Sequence, residues 1–398
     1  MIQKRIFGTL PREVKVLTLA GFFVAVGFGI VIPAIPLFAK SFGVNNAAVG
    51  LLISAFALAR FCSGLIAGKL VDIFGERNVF AIGILMVSFF TFICAIANSY
   101  SQLLIFRTAG GLGSAMFSVA AGSIIMRSVP DDMRGRAQSI YNGSFLVGGV
   151  SGPAIGGALV AISLRAPFFV YAVTLLIGGT FGFFFLKSGK SSRSDSTADN
   201  TSMRLSEALR LGPYRTALII SFVTAWVLFG LRLSILPLFV IEQLHSTSTV
   251  VGIGFGVAAL FQGALLLRAG TLSDTRGRRF ALLIGTSVVL AGVVMMTFST
   301  HPWMYLISMA VFGLGGAFLS TTPANIVGDV IRGKSGQVIA LFQMSGDAGM
   351  IVGPLTVGFL SDVFSFRIAF AVSALVFSVG VILAFRLPET RKSHLPQN

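Results

Sequence analysis

Apolar residues in this chain gather into long runs divided by short polar turns. A helix needs about twenty predominantly apolar residues to cross the hydrocarbon core of a bilayer. Twelve stretches meet that length, at 15–39, 47–70, 79–97, 102–126, 137–161, 165–187, 215–241, 248–271, 280–299, 303–327, 337–361 and 366–386. One polar interval is much longer than the rest: KSGKSSRSDSTADNTSMRLSEALRLGPYR, between the sixth and seventh runs. Its serine-rich composition is that of a linker, with an amphipathic helix expected around 203–211. The pattern predicts an all-α integral membrane protein, with twelve transmembrane helices in two six-helix bundles. The bundles are placed at 1–187 and 215–398, joined by a cytoplasmic linker at 188–214.

Composition supports this. Of 398 residues, 55% are hydrophobic and only 11% charged, too little charge to cover a soluble surface. Lys and Arg number 30 against 14 Asp and Glu, a formal net charge of +16. In a soluble protein that excess would point to nucleic acid, but here its distribution points elsewhere. With both termini placed inside, 24 of the basic residues fall in inside segments, three (Lys40, Arg165, Arg367) in outside loops and three (Arg60, Arg107, Arg232) within spans. This is the positive-inside bias of a multi-pass membrane protein with cytoplasmic termini, and it requires no nucleic-acid partner. Cys62 and Cys94 both lie in apolar runs and make neither a disulfide framework nor a metal spacing.

The two halves repeat each other. A shift of 201 positions lays FGIVIPAIPLF (28–38) on FGLRLSILPLF (229–239) and SGPAIGGAL (151–159) on VGPLTVGFL (352–360), while GKLVDIFGERNVF (68–80) needs 202 to meet GTLSDTRGRRFAL (270–282). Separate segments agreeing on nearly one offset imply duplication of a six-helix unit.

The repeated loop carries Gly68, Asp72, Gly75 and Arg77 in the first copy and Gly270, Asp274, Gly277 and Arg278 in the second. Glycine permits a tight turn and a close approach of two helices. A carboxylate at a helix end can accept hydrogen bonds from the N-terminus of a neighbouring helix, and a nearby arginine can pair with such a carboxylate across the bundles. Contacts of that kind would latch a gate; the plainer alternative is a solvated turn. A second stretch, GGVSGPAIGG, places Gly148, Gly152, Gly156 and Gly157 around Pro153. Glycines four apart offer a flat face to another helix, and Pro153 removes one backbone bond. The corresponding Gly349, Gly353, Pro354 and Gly358 form a degenerate copy.

These residues resemble the signatures of the major facilitator superfamily, and within it the twelve-helix drug:proton antiporters of tetracycline and multidrug efflux type. The resemblance extends over the chain up to its short tails. It implies the major facilitator fold, a bacterial inner membrane and a monomer working by alternating access. The loop matches the superfamily's Gly-x-Leu-x-Asp-x-x-Gly-x-Arg motif, except that Glu76 stands where a basic residue is usual. GGVSGPAIGG matches the motif that accompanies antiporters, and LLIFRTAGGLGSA resembles a helix-four motif whose arginine, here Arg107, is associated with proton coupling. Ordinary close packing also accounts for the glycines, and hydrogen bonds to carbonyls would account for Arg107.

Charge inside a bilayer is costly and turns toward a cavity or a partner. Asp347 is the one carboxylate well inside a predicted span and is the first candidate for a proton carrier. The competing reading makes it a permanent partner of Arg232 or Arg60. Arg60, Arg232, Gln262, Asn325 and Gln343 are candidates to line a substrate cavity, with Asn142 and Tyr141 beside them and Trp226 as apolar surface. Three buried arginines against one aspartate suit an anionic or zwitterionic substrate, and VAVGFGIVIPAIPLF lacks the helix-one acid found in several relatives.

An enzyme would need a catalytic constellation. His245, His301 and His394 sit at loops or the tail, and there is no metal spacing, phosphate-binding loop or nucleophile elbow. No cofactor or metal is expected. The partners expected are a small-molecule substrate, protons and the lipid bilayer. The sequence points to proton-coupled efflux of drugs or other amphiphilic small molecules, with uptake or facilitated transport of a small polar or anionic metabolite as the alternative.

Overall fold

The computed structural model describes residues 11–129, 134–186, 203–330 and 336–390. Every expected run is helical: α1 (Arg12–Lys40), α2 (Asn46–Phe74), α3 (Glu76–Ala95), α4 (Tyr100–Ser128), α5 (Arg134–Ile162), α6 (Ala166–Phe185), α7 (Gly212–Gln243), α8 (Ser248–Arg276), α9 (Arg278–Thr297), α10 (Pro302–Val330), α11 (Gly336–Val363) and α12 (Phe366–Arg386). Among the described residues, eleven helices are long and apolar enough to cross a membrane. The twelfth, α5, has 29 residues, ample length at 1.5 Å per residue. Residues 188–202 of the expected linker lie outside the described residues, and a short helix, Leu205–Arg210, occupies the amphipathic stretch after them.

Local sequence explains where helices start and break. Ser99 and Ser365 precede α4 and α12, and their hydroxyls accept from the backbone N–H of Gln102 at 3.3 Å and Ile368 at 3.2 Å, each satisfying one orphan donor of the first turn. α1 breaks at Ile32–Pro33, where proline has no N–H and its ring crowds the preceding turn. α7 solves the same problem differently, becoming π-helical over Trp226–Ile235 and Phe239–Gln243, a conformation rare enough to call for an explanation.

The chain divides into two compact units: 1–44, 55–193 and 247–256 in the first, 45–54, 194–246 and 257–398 in the second. In the first, α1 packs on α5 and α6, and α3 on α4 and α6, around the fully buried Leu17, Phe80, Ile84, Leu103 and Phe168. In the second, α7 packs on α11, and α9 on α10 and α12, around Tyr214, Phe239, Tyr305, Phe370 and Phe377. The buried Tyr214 hydroxyl donates to the Val338 carbonyl at 2.7 Å, so its polar end is satisfied.

Close backbone approaches fix the register of the duplication. A methyl on Gly113 would stand 2.6 Å from the Gly83 oxygen, and one on Gly315 would stand 2.9 Å from the Gly285 oxygen. Gly111 meets the Phe56 oxygen at 2.5 Å and Gly313 the Ala258 oxygen at 2.1 Å on the same test. Each member of these pairs lies 202 positions from its counterpart. Along α1 and α7 the offset changes. Gly148 faces Phe22 and Gly349 faces Phe222, 200 apart, whereas Gly29 faces Gly152 and Gly230 faces Gly353, 201 apart. The added residue falls where α7 turns π-helical, which is how a helix absorbs a one-residue insertion without losing its face.

Candidate functional site

Both copies of the repeated loop reduce to one residue between helices. Gly75 (φ 81°) separates α2 from α3, and Gly277 (φ 105°) separates α8 from α9. Positive φ in this range is costly for any residue with a Cβ, so the tight turn belongs to these two glycines. Gly68 and Gly270 play no such part: they lie inside α2 and α8, and a methyl on either would meet no atom within 4 Å.

Arg77 and its counterpart Arg279, 202 positions on, do one job in both copies. Arg77 Nε donates to the Phe183 carbonyl at 2.7 Å, and Arg279 Nη2 donates to the Phe385 carbonyl at 2.9 Å. These are carbonyls of the last turns of α6 and α12, where a cation also meets the negative end of the helix dipole.

The first position of α3 and α9 differs, and its partner differs with it. Glu76 pairs with Arg127 Nε at 2.8 Å, whereas Arg278 Nε pairs with Asp329 at 2.9 Å. Glu76 and Arg278 are 202 apart, as are Arg127 and Asp329, so the duplicated pair keeps its geometry and exchanges its signs. The departure of Glu76 from the family motif is thus matched at the end of α4. Arg278 also pairs with Asp274 and donates to the Ser273 hydroxyl at 3.0 Å. Asp72, the counterpart of Asp274, is exposed. All these bonds close within a unit.

The helix-five signature is a packing device. A methyl on Gly148, Gly152 or Gly156 would stand 2.6, 2.6 or 2.1 Å from the nearest atom of α1, and one on Gly157 2.8 Å from Gly252 in the 247–256 segment of the same unit. Pro153 is buried within the helix. The copy that looks degenerate in sequence does the same work: Gly349 and Gly353 lie against Phe222 and Trp226 of α7, and Gly358 against Asn46.

The candidate charges divide between the units. Arg107 on α4 is 7% exposed, its guanidinium 4.8 Å over the Phe56 ring, with Cys94 and Tyr171 near enough to feel its charge. Among the described residues it has no carboxylate partner and no bond to a backbone carbonyl, and its buried Nε is unsatisfied. Arg60 on α2 is half-buried beside Tyr141 of α5. In the second unit Arg232 sits on the π-helical stretch, half-buried and 5.5 Å over the Phe312 ring. Asp347 is half-buried on α11, Gln262 lies 3.6 Å from where a methyl on Gly316 would stand, Asn325 is half-buried and Gln343 exposed. Trp226 is no cavity wall: it is 6% exposed and its indole N–H donates to the Ser373 hydroxyl of α12 at 3.2 Å. The Asn142 side chain lies outside the described residues.

Three features escape a reading by motif. The Glu389 carboxylate, just beyond α12, accepts from the backbone N–H of Arg278 at 2.8 Å and Arg279 at 3.2 Å, capping α9. Asp362 caps α2 inside the second unit, accepting from Asn46 N at 2.9 Å and Ala47 N at 2.6 Å. Gly50 and Gly252, also 202 apart, approach the backbone oxygens of Pro354 and Pro153 at 2.1 and 2.9 Å on the methyl test. Only the glycine pair carried a sequence signal, its repeat spacing.

The sequence profile of the Major Facilitator Superfamily matches residues 17–245 and 218–398. An uncharacterized MFS-type transporter, MJ1560, of Methanocaldococcus jannaschii is 25% identical over 387 residues, 96% of this chain and 99% of that protein. Multidrug resistance protein 1 of Bacillus subtilis is 24% identical over 383 residues, 94% of this chain and 97% of that one. Among solved structures, a bacterial homolog of the human lysosomal transporter Spinster aligns with a TM-score of 0.77 at 16% identity, covering 96% of this chain and 98% of its own; that likeness is one of fold.

Proposed function

The chain belongs to the Major Facilitator Superfamily of membrane transporters, and from that premise we propose that it extrudes drugs or other amphiphilic small molecules in exchange for protons, by alternating access. It is a multi-pass membrane transporter and not an enzyme. The observation that carries the efflux reading is the helix-five signature, whose glycines seat α5 directly on the backbone of α1 and whose pattern resembles that of antiporters. The similarity to a multidrug resistance protein over nearly the whole chain supports it.

In this reading Asp347 carries the proton, and Arg107 biases coupling from the first unit. Arg60, Arg232, Gln262, Asn325 and Gln343 are the polar groups offered to substrate, and the two loops at Gly75 and Gly277 serve the gate. A second reading, transport of an anionic metabolite, is favoured by one observation: Arg107 is buried without a carboxylate among the described residues, and a buried cation calls for compensation.

Proton release separates the two. Purified protein in detergent and weak buffer is titrated with ethidium, tetracycline and a panel of organic anions. Efflux antiport predicts release on adding the cationic or amphiphilic compounds, abolished by Asp347→Asn. Release retained in that variant removes Asp347 from the role, and release provoked by anions alone favours the second reading.

A further inference from the structure

The end of α6 carries a feature that the second unit does not repeat. Leu176, Ile177, Thr180, Phe181, Phe184 and Phe185 line a shallow apolar groove of about 340 Å³. Phe181 and Phe185 stack at 4.5 Å between ring centroids, and the Arg12 guanidinium lies 5.8 Å over the Phe185 ring. On the same turn the Arg77 guanidinium lies 4.7 Å over the ring of Phe183. Arg12 is exposed, and among the described residues that ring is its one partner. Among the described residues its fork of donors therefore has no other partner, and it lies beside the Phe185 edge of the groove.

The duplicated register supplies the comparison. Phe183 and Phe385 correspond, since they accept from Arg77 and its counterpart Arg279. On that register Leu383 and Leu387 stand where Phe181 and Phe185 do, and at the α1 offset Gly212 stands where Arg12 does. The stacked rings and their arginine are therefore not demanded by the six-helix unit; the corresponding positions of the other copy lack them.

We propose that this groove binds an anionic phospholipid, with an acyl chain along the phenylalanine column and the phosphate on the Arg12 fork. A guanidinium grips phosphate through paired N–H donors, and a basic group beside an apolar surface at a helix end is a site for an anionic headgroup. An acyl chain fills such an apolar groove, and a free phosphate has none. The assignment rests on the chain spanning a bilayer, and not on which solute it carries.

Native mass spectrometry of the full chain, in non-ionic detergent with equimolar dioleoyl phosphatidylglycerol and dioleoyl phosphatidylcholine, tests it. The intact protein retains phosphatidylglycerol about fivefold over phosphatidylcholine, and Arg12→Gln brings the ratio to about one. Thr180→Trp, which fills the groove and leaves the arginine alone, lowers retention of both lipids. Arg12 and Thr180 are exposed, so neither change removes core packing. Equal retention by the intact protein, an unchanged ratio in Arg12→Gln, or unchanged retention in Thr180→Trp would each overturn the site.

Discussion

Glu76 shows how one residue can leave a motif without leaving its structure. Its side chain is 4% exposed and its partner Arg127 is 36% exposed, so the carboxylate depends on the arginine while the arginine can reach water. Removing Arg127 strands a buried charge, whereas removing Glu76 merely frees an exposed one. Arg127→Ala is expected to lower stability by about 2 kcal/mol, less than a fully buried pair would lose because Arg127 is partly solvated. Glu76→Gln costs less. The exchange Glu76→Arg with Arg127→Asp copies the signs that Arg278 and Asp329 already use, and recovers most of the loss. Thermal unfolding of the four proteins in one detergent checks this, and a double exchange no better than Arg127→Ala would show that the pair does not act as a unit.

Among the elements, α5 and α11 are built to touch their neighbours through backbone. Without a hydrophobic drive between helices in lipid, association depends on close packing, and small residues permit it. A side chain at Gly156 meets the Ile30 oxygen at 2.1 Å, whereas one at Gly143 meets nothing within 4 Å. Gly156→Val is therefore expected to force α5 off α1 and to abolish the monodisperse peak in fluorescence-detected size exclusion, while Gly143→Ala leaves it unchanged. Such contrast was only half legible beforehand. The spacing of Gly148, Gly152 and Gly156 announced a flat face, but which helix it met, and that the apparently degenerate glycines of α11 meet α7 in the same way, depended on contacts between residues far apart in sequence. The π-helical stretch of α7 was legible in still smaller part, as a change of offset between the repeats that has no meaning until the two helices are aligned on a common neighbour.

For the whole molecule, charge distribution is the strongest topological statement the chain makes. The bias of 24 inside to three outside Lys and Arg predicts both termini on the cytoplasmic side. A green fluorescent protein joined to the carboxyl terminus should fluoresce in cells, and alkaline phosphatase at the same junction should stay inactive; the reverse pattern would invert the assignment. Length, apolar content, the twelve runs, the duplication and the turn glycines Gly75 and Gly277 followed from sequence alone, because they depend on what lipid requires of a helix and on repetition within one chain. Tertiary structure decided the partners: that Glu76 belongs to Arg127, that Glu389 and Asp362 cap α9 and α2, that Trp226 is packed within its unit, and that Arg107 has a ring and no carboxylate among the described residues. Such pairings form between groups tens to hundreds of positions apart, and their energy depends on distance and burial, which appear only once the helices have packed.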